Sequence, residues 1–294
     1  MNSPTVAVFT KNRTNPAYEG ARLGADRVAQ RFGGCAVHFV PDKPDDVDEQ
    51  IALIERAIAA RPDAIVFVPV HQTRVNDAIL KINAAGIPIV SLITPTTVGE
   101  RVSFVCSDDR ALATQITLYV AARLPAGARV IVLEGIPASA TTRDRMLGIE
   151  AGLAKSPHLT VVASIRGDYQ RDIACEAVRG LLARGLRFDA VIAANDTMAL
   201  GALDALGATD PLPLVVGVNA IPEAIAAIKA GRLLATVDFD AMKMACIATE
   251  AALRHLRGET VPARITLPVQ IVDAANCAHW DRPYAERPLP SWDE

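Results

Sequence analysis

The chain has 294 residues, 51% of them hydrophobic and 21% charged, enough apolar material for one large or two medium globular domains. With a formal net charge of -3, a pI near 6.0 and no basic run interleaved with aromatics, a nucleic-acid partner is not expected. No stretch approaches the roughly 20 uninterrupted apolar residues of a membrane-spanning helix, and residues 6–9 are too few for the apolar core of a signal peptide.

Short runs rich in Val and Ile alternate with longer segments of helical period, the signature of βαβ units and of a parallel sheet covered on both faces. The first half places strands at 5–9, 36–40, 64–68, 87–92 and 103–106. Between them Ile51, Ile54 and Ile58 fall on one helix face, with Glu55 and Arg56 turned away. The second half repeats the pattern at 129–133, 160–165, 190–194, 214–218 and 233–237. Pro62, Gly86, Gly127, Gly185 and Gly231 sit at the helix-to-strand turns, where a helix must stop. Strand starts are about 31, 28 and 23 residues apart in the first half and about 31, 30 and 24 in the second, close to the ~30 of a βαβ repeat.

The spacing predicts an α/β protein of two similar doubly wound parallel-sheet lobes. A helix at 240–257 follows, then a Pro-bounded run at 264–272 that suits a return crossing between lobes. The expected lobes are 1–107 plus about 240–267, and 108–239 plus about 268–294, joined by a multi-crossing hinge with a ligand cleft between them. The tail from Trp280 to Glu294, rich in Pro and charge, is expected to run extended over the surface.

The segment from Asp189 to Gly201 (Asp-Ala-Val-Ile-Ala-Ala-Asn-Asp-Thr-Met-Ala-Leu-Gly) delivers Asn195 and Asp196 from the end of a buried strand into the start of a helix. Polar side chains there need partners, either as a helix cap or toward a small molecule at the carboxyl edge of the sheet. Capping is assigned mainly to Asp196 and ligand binding mainly to Asn195.

Catalytic signatures are absent: no GxGxxG after a strand, GxxxxGK[ST], HExxH or GxSxG occurs, so no enzymatic activity, metal or cofactor is expected. Cys35, Cys106, Cys175, Cys246 and Cys277 are widely spaced and odd in number, which favours buried thiols over a disulfide framework or a CxxC site. Of the five histidines only His71 falls just past a strand; His255 reads as a surface helix residue. Asp108-Asp109 reads as a helix cap rather than an acid/base pair.

Five places together resemble the type I periplasmic binding proteins, in particular the ribose-binding-protein-like sugar receptors of ABC importers. They are Asn15-Pro16-Ala17-Tyr18, Gly86-Ile87-Pro88-Ile89-Val90, Ser107-Asp108-Asp109, Ala194-Asn195-Asp196-Thr197-Met198-Ala199-Leu200-Gly201 and Val215-Val216-Gly217-Val218-Asn219. The resemblance spans nearly the whole chain. It implies that Asn15 bonds a ligand hydroxyl and that Tyr18 and Tyr169 are aromatic walls. Arg143 then forks onto ligand oxygens, and Asn195 and Asn219 line the next two loops. Asn219 stands where an Asp is common.

The first lobe departs further: Ile93 and Thr94 replace an Asp–Arg pair, Val68 an Asn, and Phe239 a Gln. His71, Gln72 and Asp238 are candidates for replacement contacts, with Thr94, Ser107 and Phe239 at matching positions. Each sugar hydroxyl left unpaired in a buried site costs on the order of 1–3 kcal/mol, so a smaller, less hydroxylated or modified sugar or a polyol is expected. The resemblance further implies a monomer that serves ABC transporter membrane subunits from the periplasm, its signal peptide removed. The alternative is the effector-binding domain of a LacI-type transcription regulator without its DNA-binding headpiece, since only Met1–Pro4 precede the first strand.

Overall fold

A computed structural model of the chain describes residues 3–290 and 292. The chain alternates β1 (Thr5–Phe9), α1 (Pro16–Arg31), β2 (Cys35–Phe39), α2 (Val47–Ala60), β3 (Ala64–Phe67), α3 (Asn76–Ala84), β4 (Ile89–Leu92) and β5 (Ser103–Cys106). It continues through α4 (Asp109–Ala121), β6 (Arg129–Glu134), α5 (Ala140–Ala154), β7 (Thr160–Arg166), α6 (Arg171–Ala183), β8 (Ala190–Ala193), α7 (Asp196–Leu206), β9 (Leu214–Val216), α8 (Pro222–Lys229) and β10 (Ala235–Asp238). Last come α9 (Ala241–Leu256), β11 (Arg264–Thr266), β12 (Gln270–Asp273) and two short 3₁₀ turns.

Two compact units result: Met1–Ser107 with Asp240–Leu267 and Pro283–Glu294, and Asp108–Phe239 with Pro268–Arg282. The first holds a parallel sheet of order β11-β5-β4-β3-β1-β2. The second holds a sheet of order β12-β10-β9-β8-β6-β7, parallel except for β12. Leaving out the late strands, both follow the doubly wound order in which the first and third strands are neighbours. The loops leaving the carboxyl ends of those neighbours diverge, and that crevice is where such sheets hold ligands.

Central strands are buried along their whole length, as sheets covered on both faces require: Val6 to Phe9, all of β3 and all of β8 are inaccessible. In the first unit Phe9 stacks on Phe39 at 5.0 Å between ring centroids and meets Phe67 edge-on at 5.2 Å. In the second, glycine sets how closely helices approach. A Cβ on Gly148 in α5 would meet the Arg110 carbonyl oxygen at 2.4 Å, and one on Gly201 in α7 the Arg171 carbonyl oxygen at 2.2 Å.

Turn residues act as their chemistry dictates. Gly86 and Gly185 take φ of +71° and +73° after α3 and α6, while after α2 Arg61 adopts the left-handed turn itself, φ 50°, ahead of Pro62. Pro88 delays the fourth strand to Ile89, two residues later than its apolar run begins, because proline has no N–H for the ladder.

The run at 264–272 passes from one unit to the other, as a return crossing does: β11 pairs with β5 in the first sheet, β12 pairs with β10 in the second, and the change of unit falls at Pro268. Two expectations about the tail are corrected. The tail does not group with the second unit beyond Arg282. Arg27 of α1 donates to the carbonyls of Tyr284 and Arg287, at 3.5 and 2.7 Å, and the Tyr284 ring lies where a Cβ on Gly20 would be. Nor is the tail extended throughout, since a 3₁₀ turn forms at Tyr284–Glu286; residues 291, 293 and 294 lie outside the described residues.

Candidate functional site

The carboxyl ends of β6 and β8 form the crevice of the second unit. Asn195 leaves β8 in extended conformation, φ -153° and ψ 168°, and is the N-cap of α7: its Oδ1 accepts the N–H of Met198 at 2.9 Å. That corrects the assignment of the cap to Asp196. Asn195 is 1% exposed and its Nδ2 has no partner among the described residues. A buried amide donor left unpaired costs about 1–3 kcal/mol, and no described residue offsets that cost at Nδ2. Of the four buried side-chain atoms in this condition among the described residues, two fall on this one turn, Asn195 Nδ2 and Thr197 Oγ1.

Next to Asn195, Asp196 ties the start of α7 to the loop after β9 and to β10. Its Oδ2 accepts the N–H of Ile221 at 3.0 Å and its Oδ1 the hydroxyl of Thr236 at 2.6 Å, while Gly217 passes so close that a Cβ there would sit 2.3 Å from Oδ1. Complete burial pushes this carboxyl up to about 6, against the opposing pull of the two bonds and of the Arg145 charge. Asp196 thereby fixes the turn in which Asn219 and Ala220 take φ of 127° and 51°, a left-handed excursion that holds Asn219 just past β9.

Arg145 binds the same group of loops from α5. Its Nε donates to Asp109 Oδ1 at 2.7 Å, its Nη1 to the Ala194 carbonyl at 2.6 Å and, more weakly, to Asn219 Oδ1 at 3.4 Å. The guanidinium lies 5.4 Å from the Phe239 ring centroid, and the side chain is 3% exposed. Asp108 is the cap that Asp108-Asp109 was expected to supply, accepting from Ala111, and Asp109 is the partner of Arg145. Arg143, named from the sequence, stands two residues earlier with its side chain 58% exposed and paired only locally with Asp144 at 2.9 Å. Arg145 was missed because its partners lie 36, 49 and 74 residues away and no local pattern marks it.

Tyr169 follows β7 with φ 61° and accepts the Thr142 hydroxyl at 2.8 Å. Its ring occupies the space above Gly135, where a Cβ would be 2.2 Å from the ring carbon that carries the hydroxyl. Asp238, ending β10, accepts the Trp280 indole N–H at 2.5 Å, and Phe239 is buried beneath Arg145. The second unit thus brings Asn195, Asn219 and Phe239 together through Arg145, with Tyr169 past the end of β7, on the far side of β6 from β8, and Arg143 at the surface.

In the first unit Asn15 repeats the device of Asn195, capping α1 through Oδ1 to the N–H of Ala17 at 3.0 Å. Tyr18 is buried on the first turn of α1. His71 folds its own loop, Nδ1 accepting the N–H groups of Thr73 and Arg74 at 3.1 and 3.2 Å. Val68 is fully buried with its carbonyl taken by Gln50 at 3.0 Å; Ile93 turns at φ 62°, and Thr94 and Ser107 are buried at strand ends. A separate open pocket of about 390 Å³, lined by Asn83, Ile87, Glu100, Arg101 and His255, lies at the opposite, amino end of β4 and β5. Among the described residues no group of three His, Cys, Asp or Glu is placed to hold a metal.

Residues 6–260 match the family described as periplasmic binding protein domain. The chain is 29% identical over 267 residues to the ribose import binding protein of Bacillus subtilis, covering 91% of this chain and 86% of that one. A solved ABC transporter periplasmic solute binding protein from Actinobacillus succinogenes with bound D-allose superposes with a TM-score of 0.88 at 26% identity, covering 94% and 99% of the two chains. One from Mycobacterium smegmatis with bound glycerol does so with a TM-score of 0.85 at 28% identity, covering 94% and 96%. An aligned domain of this extent, on two sheets of matching strand order, means that the chain belongs to the periplasmic binding protein family, whose members are receptors for solutes and not catalysts.

Proposed function

We propose that the chain binds a small polar ligand, a sugar derivative or polyol, and delivers it to the membrane subunits of an ABC importer. The observation that carries this reading is the buried Asn195 amide at the carboxyl end of β8, its oxygen committed to the helix cap and its Nδ2 without a protein partner. Asn15, Tyr18, Arg143, Tyr169 and Asn219 are the further contacts, drawn from the strand-end loops of each unit, and Thr197 joins Asn195. That relatives bind ribose, D-allose and glycerol supports the ligand class and favours a transport receptor over the effector domain of a regulator. Periplasmic location and a monomeric state belong to the same reading.

Val68, Ile93 and Thr94 narrow the class. Val68 contributes no polar side-chain atom and Ile93 no charge, so the first unit offers fewer partners than a fully hydroxylated pentose or hexose needs. A ligand with fewer hydroxyls, or with some of them modified, loses least. A thermal-shift screen of D-ribose, D-allose, deoxy sugars, xylitol, myo-inositol and glycerol tests this, because a bound ligand at 100 times its Kd adds about 2.7 kcal/mol of stability. The expected result is a shift for one polyol or modified sugar, with affinity reduced tenfold or more in Arg143→Ala and in Asn195→Ala. No shift across the panel, or unaltered calorimetric affinity in both variants, overturns the reading.

A further inference from the structure

Asn15 sits on a loop that is held by more than its helix. Asn12, 5% exposed, accepts the N–H of Asn15 on its Oδ1 at 3.0 Å and the Thr14 hydroxyl at 3.4 Å. The other end of the same amide donates from Nδ2 to Asp45 Oδ2 at 2.8 Å. Asp45 comes from the loop after β2. Its own N–H donates to the Lys11 carbonyl at 3.1 Å, and it takes φ 58°, a left-handed conformation that aspartate tolerates better than most residues. Arg22 of α1 secures the base of the loop, Nη1 donating to Thr10 Oγ1 at 2.9 Å and to the Asn12 carbonyl at 3.2 Å.

The chain of bonds therefore runs from a carboxylate through one side-chain amide to the backbone of Asn15. We propose that Asp45 is a positioning residue for ligand binding: through Asn12 it sets the place of Asn15, and so the geometry with which the first unit meets its ligand. This rests on the assignment of Asn15 to the ligand site. Three features carry it. A bond to an ionised acceptor is shorter and stronger than a neutral one, and the 2.8 Å separation fits that class. Burial, which raises the Asp45 carboxyl above its ordinary value while Lys11 and Asn12 oppose the shift, makes the surroundings poor in competing water. Finally, the Asn12 amide uses both ends at once, and Asp45 and Asn15 select the same orientation; a flipped amide would set an NH₂ against the N–H of Asn15 and an oxygen against the Asp45 carboxylate.

The test uses the full chain, with D-ribose, xylitol and myo-inositol as calorimetric titrants and amide hydrogen exchange at Asn15 read by NMR. Asp45→Gly keeps the left-handed backbone without strain and removes the acceptor. It is expected to speed exchange of the Asn15 N–H at least tenfold while β1 amides stay protected, and to weaken the titrant that binds the unsubstituted chain threefold or more. Asp45→Asn retains an oxygen acceptor and is expected to restore both to within twofold. In an Asn15→Ala background, Asp45→Gly is expected to cost no further affinity. Unchanged Asn15 exchange in Asp45→Gly, or additive losses of affinity in the double substitution, overturns the proposal. If Asn15→Ala alone leaves affinity unaltered, or none of the three titrants binds, the ligand assignment of Asn15 fails instead, and exchange alone decides whether Asp45 positions it.

Discussion

The Asn195 side-chain oxygen accepts the backbone N–H of Met198 at 2.9 Å, and this one bond determines which end of the amide is left uncommitted. With Oδ1 committed to the start of α7, the buried Nδ2 is a donor without a partner among the described residues. Asn195→Ser separates the two roles: serine caps a helix as well as asparagine does but lacks the NH₂. The variant should unfold within about 1 kcal/mol of the unsubstituted chain. Its affinity for the ligand found by thermal shift should fall tenfold or more by calorimetry; a fall in stability with affinity intact would make Asn195 a cap and nothing else.

Arg145 and Asp109 form a pair whose side chains are 3% and 11% exposed. Removing one partner of such a pair strands the other charge, at about 3–5 kcal/mol, whereas removing both charges costs far less. Arg145→Met should therefore lower stability to urea by that amount, and adding Asp109→Asn should recover part of the loss. Ligand affinity should stay reduced in both, because the Ala194 carbonyl and Asn219 lose their anchor either way.

Gly135 leaves room for the Tyr169 ring, with 2.2 Å between the nearest ring carbon and the position a Cβ would take. Gly135→Ala should displace Tyr169 and break its bond to Thr142, with an overpacking cost of about 1–3 kcal/mol. Tyr169→Phe leaves the ring in place and removes only the hydroxyl. If Tyr169 is an aromatic wall for the ligand, calorimetry should find affinity much weaker in Gly135→Ala and little changed in Tyr169→Phe.

Burial raises the Asp196 carboxyl from 3.8 to about 6. Between about pH 4 and 6 the folded chain holds a proton at Asp196 that the unfolded chain has released, so this contribution to stability is full below pH 4 and is lost as pH rises through about 6. The shift corresponds to at most about 3 kcal/mol. Asp196→Asn has no such titration, so relative to the unsubstituted chain it should gain stability from pH 4 to pH 7 in urea melts. Parallel pH profiles for the two proteins would show that Thr236, the Ile221 N–H and Arg145 hold the charged form at no net cost.

Strand positions were legible because parallel strands covered on both faces must be continuously apolar, as Val6 to Phe9 and Ala190 to Ala193 are. The break in 264–272 was not, because Ile265 and Val272 have the same β preference in either sheet and only pairing with β5 or β10 assigns them. The same limit explains the tail, whose grouping depends on Arg27 reaching the carbonyls of Tyr284 and Arg287 across more than 250 residues of chain.

At the candidate site the sequence by itself determined the strand ends, the family resemblance and the asparagines Asn195 and Asn219, since each of these two stands directly after an apolar run that local hydrophobicity marks, while Asn15 was legible from the family motif that follows β1. The tertiary structure alone decided what those residues are free to do. It gave the cap to Asn195 rather than Asp196, made Asp196 a buried tie to the loop after β9 and to β10, and set Arg145 among Asp109, Ala194 and Asn219 while Arg143 stands exposed beside Asp144. Each outcome depends on partners that meet only when distant strand ends converge, because hydrogen bonds and burial are properties of neighbours in space and not of neighbours in sequence.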